Sequence, residues 1–175
     1  MDYKIGLCGE KQLPEILEIF NEAIINTTAL YDYKQRTMDN MNEWYSVKQK
    51  RNYPVIGAFG EDNSLLGFAT YSPFRDRPAY KFTIEHSVYV RSDVRGKGLG
   101  TILLKEIIKK AVEQDYHVMI GGIDASNAGS VKLHEKEGFV FCGLIKQVGF
   151  KFGKWLDLVF YQLILKTPEY PVDDK

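Results

Sequence analysis

Residues 82–90, FTIEHSVYV, run without a spacer into RSDVRGKGLG, residues 91–100. Side chains alternate across a strand, so Phe82, Ile84, Val88 and Val90 fall on one face and Thr83, Glu85, Ser87 and Tyr89 on the other. Beyond the glycines, Leu99, Leu103, Ile107 and Ala111, flanked by Leu104, Ile108 and Val112, recur at helical spacing with a broad apolar face. A strand that delivers the chain through glycines to the mouth of such a helix restricts the fold to layers in which helix packs back on sheet.

The loop joins Arg91, Arg95 and Lys97 to Gly96, Gly98 and Gly100. A dinucleotide G-x-G-x-x-G fails, because Thr101 stands where the third glycine belongs, and no G-x-x-x-x-G-K-[ST] is present. What remains is a row of backbone amides at a helix N-terminus, an arrangement that suits pyrophosphate oxygens. Each well-placed charge there adds roughly 0.3 to 1 kcal/mol. The plainer reading, a glycine-rich turn with solvated cations, stands beside it.

Elsewhere, YKIGLCG predicts a first strand, and Leu13, Ile16, Leu17, Phe20, Ala23 and Ile24 predict a helix with Pro14 in its first turn. Residues 27–37 read as a loop, and a second helix is expected to start at Asp39 or Asn40. PVIGAFG and LLGFATYSPF around the turn EDNS predict a hairpin. HVMIGGI reads as a short buried strand, NAGSVKLHEKEG as a helix closed by Gly138, and FVFCGLIKQVGF with KWLDLVFYQLIL as two long final strands. Helices interrupting strands imply a mixed sheet covered on both faces.

No repeat or linker divides the 175 residues, so one domain over 1–175 is expected, long enough to bury about 70% of the unfolded surface. Its 23 basic and 23 acidic residues cancel, so no global field draws the chain to nucleic acid or an anionic membrane. The first residues lack an export signal, and no apolar run approaches the ~20 residues of a membrane span, so a cytoplasmic protein is expected. Cys8 and Cys142 are read as reduced thiols.

Arg95, Gly98 and Gly100 match the [RQ]-x-x-G-x-[GA] loop of the GNAT N-acetyltransferases. NAGSVKLHEKEGF resembles that family's N-x-x-[AS]-x-x-L-Y-x-K-x-G-F segment at Asn127, Ser130, Leu133, Lys136, Gly138 and Phe139. TIEHSVYV, LHEKEGF and VGFKFGKWLDLVFYQL are similar to the phosphinothricin and methionine sulfoximine or sulfone branch. The resemblance implies an α/β (α+β) GNAT fold with a mixed, mostly antiparallel sheet of about seven strands. It also implies acetyl-CoA as cosubstrate, a small-molecule amine acceptor, a homodimer and no metal.

On this resemblance the loop Arg95, Gly96, Lys97, Gly98, Leu99 and Gly100, the strand segment Val88, Tyr89 and Val90, and Asn127, Ser130 and Lys136 hold the cosubstrate. Glu85 is the implied base that takes the acceptor's proton, against a plainer reading as a strand carboxylate. His134 stands where the family usually has tyrosine, and three roles are open: acid for the departing thiolate, partner to Glu85, or packing. His86 and His117 form no metal-ligand pattern with it. Arg75 and Arg77 either grip the acceptor's anionic groups or are solvated, with Phe74, Tyr31 and Arg36 as further pocket walls. The chain departs from the branch at Lys34 and Gln35, where an acidic residue and proline commonly precede Arg-Thr in a loop that shapes acceptor choice.

Overall fold

In the computed structural model, which describes residues 3–173, the alternating segment becomes the middle strand of one sheet. In chain order the elements are β1 (Lys4–Leu7), α1 (Leu13–Asn26), α2 (Met38–Lys50), β2 (Val55–Phe59), β3 (Leu65–Pro73) and β4 (Thr83–Val90). They continue with α3 (Leu99–Glu113), β5 (Val118–Asp124), α4 (Ala128–Lys136), β6 (Val140–Lys151) and β7 (Lys154–Ile164). The sheet has seven strands in the order β1-β2-β3-β4-β5-β7-β6, as the resemblance implies. Neighbours are antiparallel except β4 and β5, which are parallel and joined through α3.

The two faces of β4 feed two cores. Ile84, with Val88 and Val90, packs against Leu99, Leu103, Leu104 and Ile107 of α3. On the reverse face α1 and α2 bring Leu13, Ile16, Ile19, Phe20 and Met41 onto Val55, Leu65 and Phe68. Phe20 meets Phe68 and Tyr89 edge-on at 5.0 Å each, a favoured aromatic geometry. Among the described residues no helix is long and apolar enough to cross a membrane, and both cysteines are free.

Two burial assignments and one helix boundary differ from expectation. Ile19 is buried where Leu17 is only half-buried, and Val112 is 40% exposed because it lies at the edge of the α3 stripe. Helix α2 starts at Met38 because Thr37 caps it: its hydroxyl accepts from Asn40 N at 3.3 Å, and the Asn40 amide oxygen accepts from Thr37 N at 3.0 Å.

Beyond Val55, where β2 stops pairing with β3, the free carbonyl of Tyr71 accepts from Lys48 Nζ at 2.6 Å, and Ser72 Oγ lies 2.7 Å from the same ammonium. Lys48 is 3% exposed, and burial, with the Arg36 charge second, brings its pKa down to about 7. An unfolded lysine keeps its proton to about 10.4, so above pH ~7 the unfolded chain binds the extra proton and stability rises with pH. Cys8 opposes this rise above its ordinary value of 9.0, because burial, with Glu15 second, pushes its thiol to about 12. Between about pH 7 and 9 the urea unfolding midpoint of wild type is expected to rise with pH relative to that of Lys48→Met.

Candidate active site

The ladder between β4 and β5 has only the pairs Thr83↔Val118, Ile84↔Met119 and Glu85↔Ile120. Yet β4 stays paired to β3 as far as Val90, and β5 to β7 as far as Asp124. The two strands therefore part after Glu85. At the parting the His86 ring takes the Ile120 carbonyl, donating from Nδ1 at 2.8 Å. The gap is a cleft of about 810 Å³ that runs from Glu85 along Val88, Tyr89 and Val90 to the glycine loop. Residues 27–31 line it too, strapped to β6: Lys151 Nζ donates to Thr27 O at 2.9 Å and Leu30 O at 2.6 Å.

At the mouth, Gly96 and Gly98 have φ of +78° and +85°, a left-handed region that favours glycine. A Cβ on either would meet nothing within 4 Å, so the backbone there faces open space. The Gly98 carbonyl accepts from Thr101 N at 3.1 Å and Ile102 N at 3.3 Å. The amides of Leu99 and Gly100 precede these first helical bonds and stand at the α3 N-terminus, a cradle that fits a diphosphate.

The loop cations are spent differently from expectation. Arg91 pairs with Asp93 at 2.7 Å and lines a separate hollow of about 170 Å³ beside Glu15, Glu18 and Glu22. Arg95 lines the cleft, but its guanidinium bonds Val90 O at 3.0 Å and pairs with Glu22. Lys97 is exposed and does not line the cleft. What the loop offers an anion is therefore amides and a helix N-terminus more than side-chain charge.

Glu85 sits at the vertex, on the face it shares with Ser87 and Tyr89. Burial raises its pKa above the usual carboxylate value, and the Arg75 cation opposes that rise. Two successive glycines of β5 make room on both sides: a Cβ on Gly122 would lie 2.9 Å from Glu85 Oε1, and one on Gly121 3.0 Å from His134 Nε2 and His86 Cε1. His134 is thus on the opposite face from Glu85, which removes the role of direct partner to it. Its Nε2 lies 2.9 Å from Nε2 of His86 instead.

Residues 13–139 match the Acetyltransferase (GNAT) family. The chain belongs to that family. The L-methionine sulfoximine/L-methionine sulfone acetyltransferase of Pseudomonas aeruginosa is 42% identical over 165 residues, which cover 94% of this chain and 96% of that one. A solved structure from Acinetobacter baylyi ADP1 superposes with a TM-score of 0.97 at 54% identity, covering 99% of this chain and 98% of that one. A phosphinothricin acetyltransferase of Sinorhizobium meliloti, solved in complex with acetyl-CoA, superposes with a TM-score of 0.93 at 32% identity, covering 98% and 93%. This GNAT chain is an acetyl-CoA-dependent N-acetyltransferase, and the cleft has the cradle such a donor requires.

The other expected site residues divide. Asn127 and Ser130 line the GNAT cleft, with Asn127 Oδ1 capping α4 by accepting from Ser130 N at 3.0 Å. Tyr31 lines it too, its ring lying where a Gly149 side chain would be. Lys136, in the last turn of α4, is exposed and does not line it. Nor does Arg36, whose guanidinium is held 4.0 Å over Phe20 and 3.1 Å from Asp32. Phe74 packs on Tyr80 at 5.9 Å and Phe160 at 6.5 Å, and Arg75 stacks 5.1 Å over Phe74. Arg77 is exposed ahead of a single 3-10 turn, and none of Phe74, Arg75 or Arg77 lines the cleft.

Sequence reasoning missed His86 and Asp124. Asp124 is 5% exposed, lines the cleft on the Glu85 face, and has one carboxylate oxygen, Oδ2, without a hydrogen bond. The signal was the pair Gly121-Gly122: glycine inside a strand marks a close approach.

Arg75 acts on Glu85 through its charge. Since that cation lowers the carboxyl pKa, Arg75→Ala is expected to raise it further. The acid limb of the turnover profile should then move to higher pH, which a pH series on wild type and variant measures directly.

Proposed function

We propose that this protein moves the acetyl group of acetyl-CoA to the amino group of a small amino acid analogue of the methionine sulfoximine, methionine sulfone or phosphinothricin type. The transfer is direct, within a ternary complex. The observation that carries the reading is the Glu85 carboxylate at the vertex where β4 and β5 part, raised in pKa and opposite a strand glycine. The acceptor class rests on what the relatives are named for.

The acceptor arrives as an ammonium, and Glu85 takes its proton directly or through water. Backbone amides of the Val88–Val90 segment stabilise the negative charge that develops on the carbonyl oxygen. His134, in the cleft on the opposite face, gives a proton to the departing thiolate. The product amide no longer carries the amine's charge, so the act detoxifies such an analogue in the cytoplasm. The whole chain works as one domain.

A homodimer belongs to the same proposal. The edge strand β6 leaves Val140, Phe141, Leu144, Ile145, Val148 and Phe150 each at least 43% exposed, an apolar strip that a second copy would cover.

A second reading keeps the donor and changes the acceptor to a polyamine or other amine. It is favoured by one arrangement: the carboxylates of Glu85 and Asp124 line the cleft, while Arg75 and Arg77 do not. Thiol release from acetyl-CoA, measured with methionine sulfone, phosphinothricin and spermidine, separates the two. Release with the first two and not with spermidine is expected; release with spermidine alone would replace the proposal by the second reading.

A further inference from the structure

Among the described residues, neither histidine of the cleft contacts a carboxylate. His86 Nδ1 is 2.8 Å from the Ile120 carbonyl oxygen, and His134 Nδ1 is 2.7 Å from the Ser130 carbonyl oxygen. A carbonyl only accepts, so both Nδ1 atoms carry protons. The two Nε2 atoms then face each other at 2.9 Å. If both rings were neutral, two lone pairs would meet at hydrogen-bond distance. One further proton turns the contact into an N–H···N bond, which makes three protons on four nitrogens and one positive charge on the pair.

We propose that His86 and His134 hold one proton between their Nε2 atoms and act as a single cationic acid for the leaving thiolate. His134 is the catalytic residue of the two and His86 the positioning residue. The thiolate role rests on the function proposed above; the shared proton rests on the geometry alone. When the C–S bond breaks, its electron pair stays on sulfur, and sulfur takes the shared proton, leaving the pair neutral. Of the two protons the ammonium acceptor loses through Glu85, one balances the proton that solvent returns to the pair, and the other is released.

The surroundings leave the charge to the pair itself. Gly121, 3.0 Å from both rings as an added Cβ would measure it, brings no side chain, and Phe139 stacks 5.3 Å from His86 and 5.0 Å from His134. Glu85 and Asp124 belong to the other face of β4 and β5. On α4, Lys132, Glu135 and Lys136 are exposed, with Glu135 accepting from the Tyr161 hydroxyl of β7 at 3.0 Å. On α3, Lys105 lies 3.8 Å from Glu137. Burial lowers both histidines, and the charge of His134 adds to it at His86. Against that stand two carbonyl acceptors and a facing lone pair, all of which favour the protonated form.

Wild-type protein labelled with ¹⁵N-histidine tests the shared proton without turnover. Near pH ~7, where a free imidazole is mostly neutral, one low-field exchangeable proton should correlate with Nε2 of both His86 and His134. His117, whose Nδ1 donates to Thr167 O at 2.9 Å, gives a separate signal. Two unprotonated Nε2 atoms would overturn the proposal. In activity, His86→Gln should lower kcat ~10-fold or more and move the alkaline limb, with the KM for acetyl-CoA within ~3-fold. A folded His86→Gln enzyme with wild-type kcat and pH profile would overturn the acid role. Should His86→Gln fail to fold, the wild-type spectrum decides. A shared proton in a protein that releases no thiol with any amine would refute the function and leave the pair standing.

Discussion

Glu85→Gln is expected to lower turnover by ~10²- to 10⁴-fold, about 3 to 5 kcal/mol in barrier, while acetyl-CoA binds nearly as before. Glutamine has the same shape, so the fit against Gly122 survives, and the diphosphate cradle at the far end of the cleft is untouched. What is lost is the only property the mechanism uses, a carboxylate that accepts a proton. Single-turnover kinetics beside a binding titration separates the two effects. Turnover reduced less than tenfold would show that another group takes the proton, and Asp124, on the same side of the cleft, would be the next residue to test.

The second large effect is expected at Gly98. With φ at +85° and no neighbour within 4 Å of an added Cβ, Gly98→Val meets no steric clash with surrounding atoms. Its cost is backbone strain alone, about 1 to 2 kcal/mol for a side chain in the left-handed region, and more for a β-branched one. The free loop then relaxes and re-aims the amides of Leu99 and Gly100, so binding acetyl-CoA must restore the strained shape. Acetyl-CoA affinity is expected to fall five- to thirty-fold or more, about 1.4 kcal/mol per factor of ten. Gly98→Ala should fall between. Calorimetric titration of both variants measures the order, and equal affinity in all three proteins would remove this loop from the donor site.

Local signals carried a large part of this structure. The alternation of 82–90, the glycines after it and the stripe from Leu99 to Ala111 each depend on residues a few positions apart, and all three form as read. The same holds for helix α4 closing ahead of Gly138. Contacts between distant segments were not legible. Whether Arg95 is free depends on Glu22, 73 residues away, and the strap over the cleft depends on Lys151 reaching carbonyls 121 and 124 residues back. Arginines 75 and 77 read either as acceptor ligands or as solvated charges, and local sequence could not choose between them; neither lines the cleft. His86 looked like an ordinary strand residue until α4 brought His134 onto it, 48 residues on.

The proposed transfer requires the amides at the start of α3 to hold the donor's diphosphate. Hydrogen exchange with and without saturating acetyl-CoA tests this most directly. Exchange is expected to slow across residues 96–101 and at Asn127–Ser130, and to stay unchanged around Glu15, Glu18 and Arg91 in the separate hollow. Saturating ligand that leaves 96–101 exchanging at the free rate would contradict it.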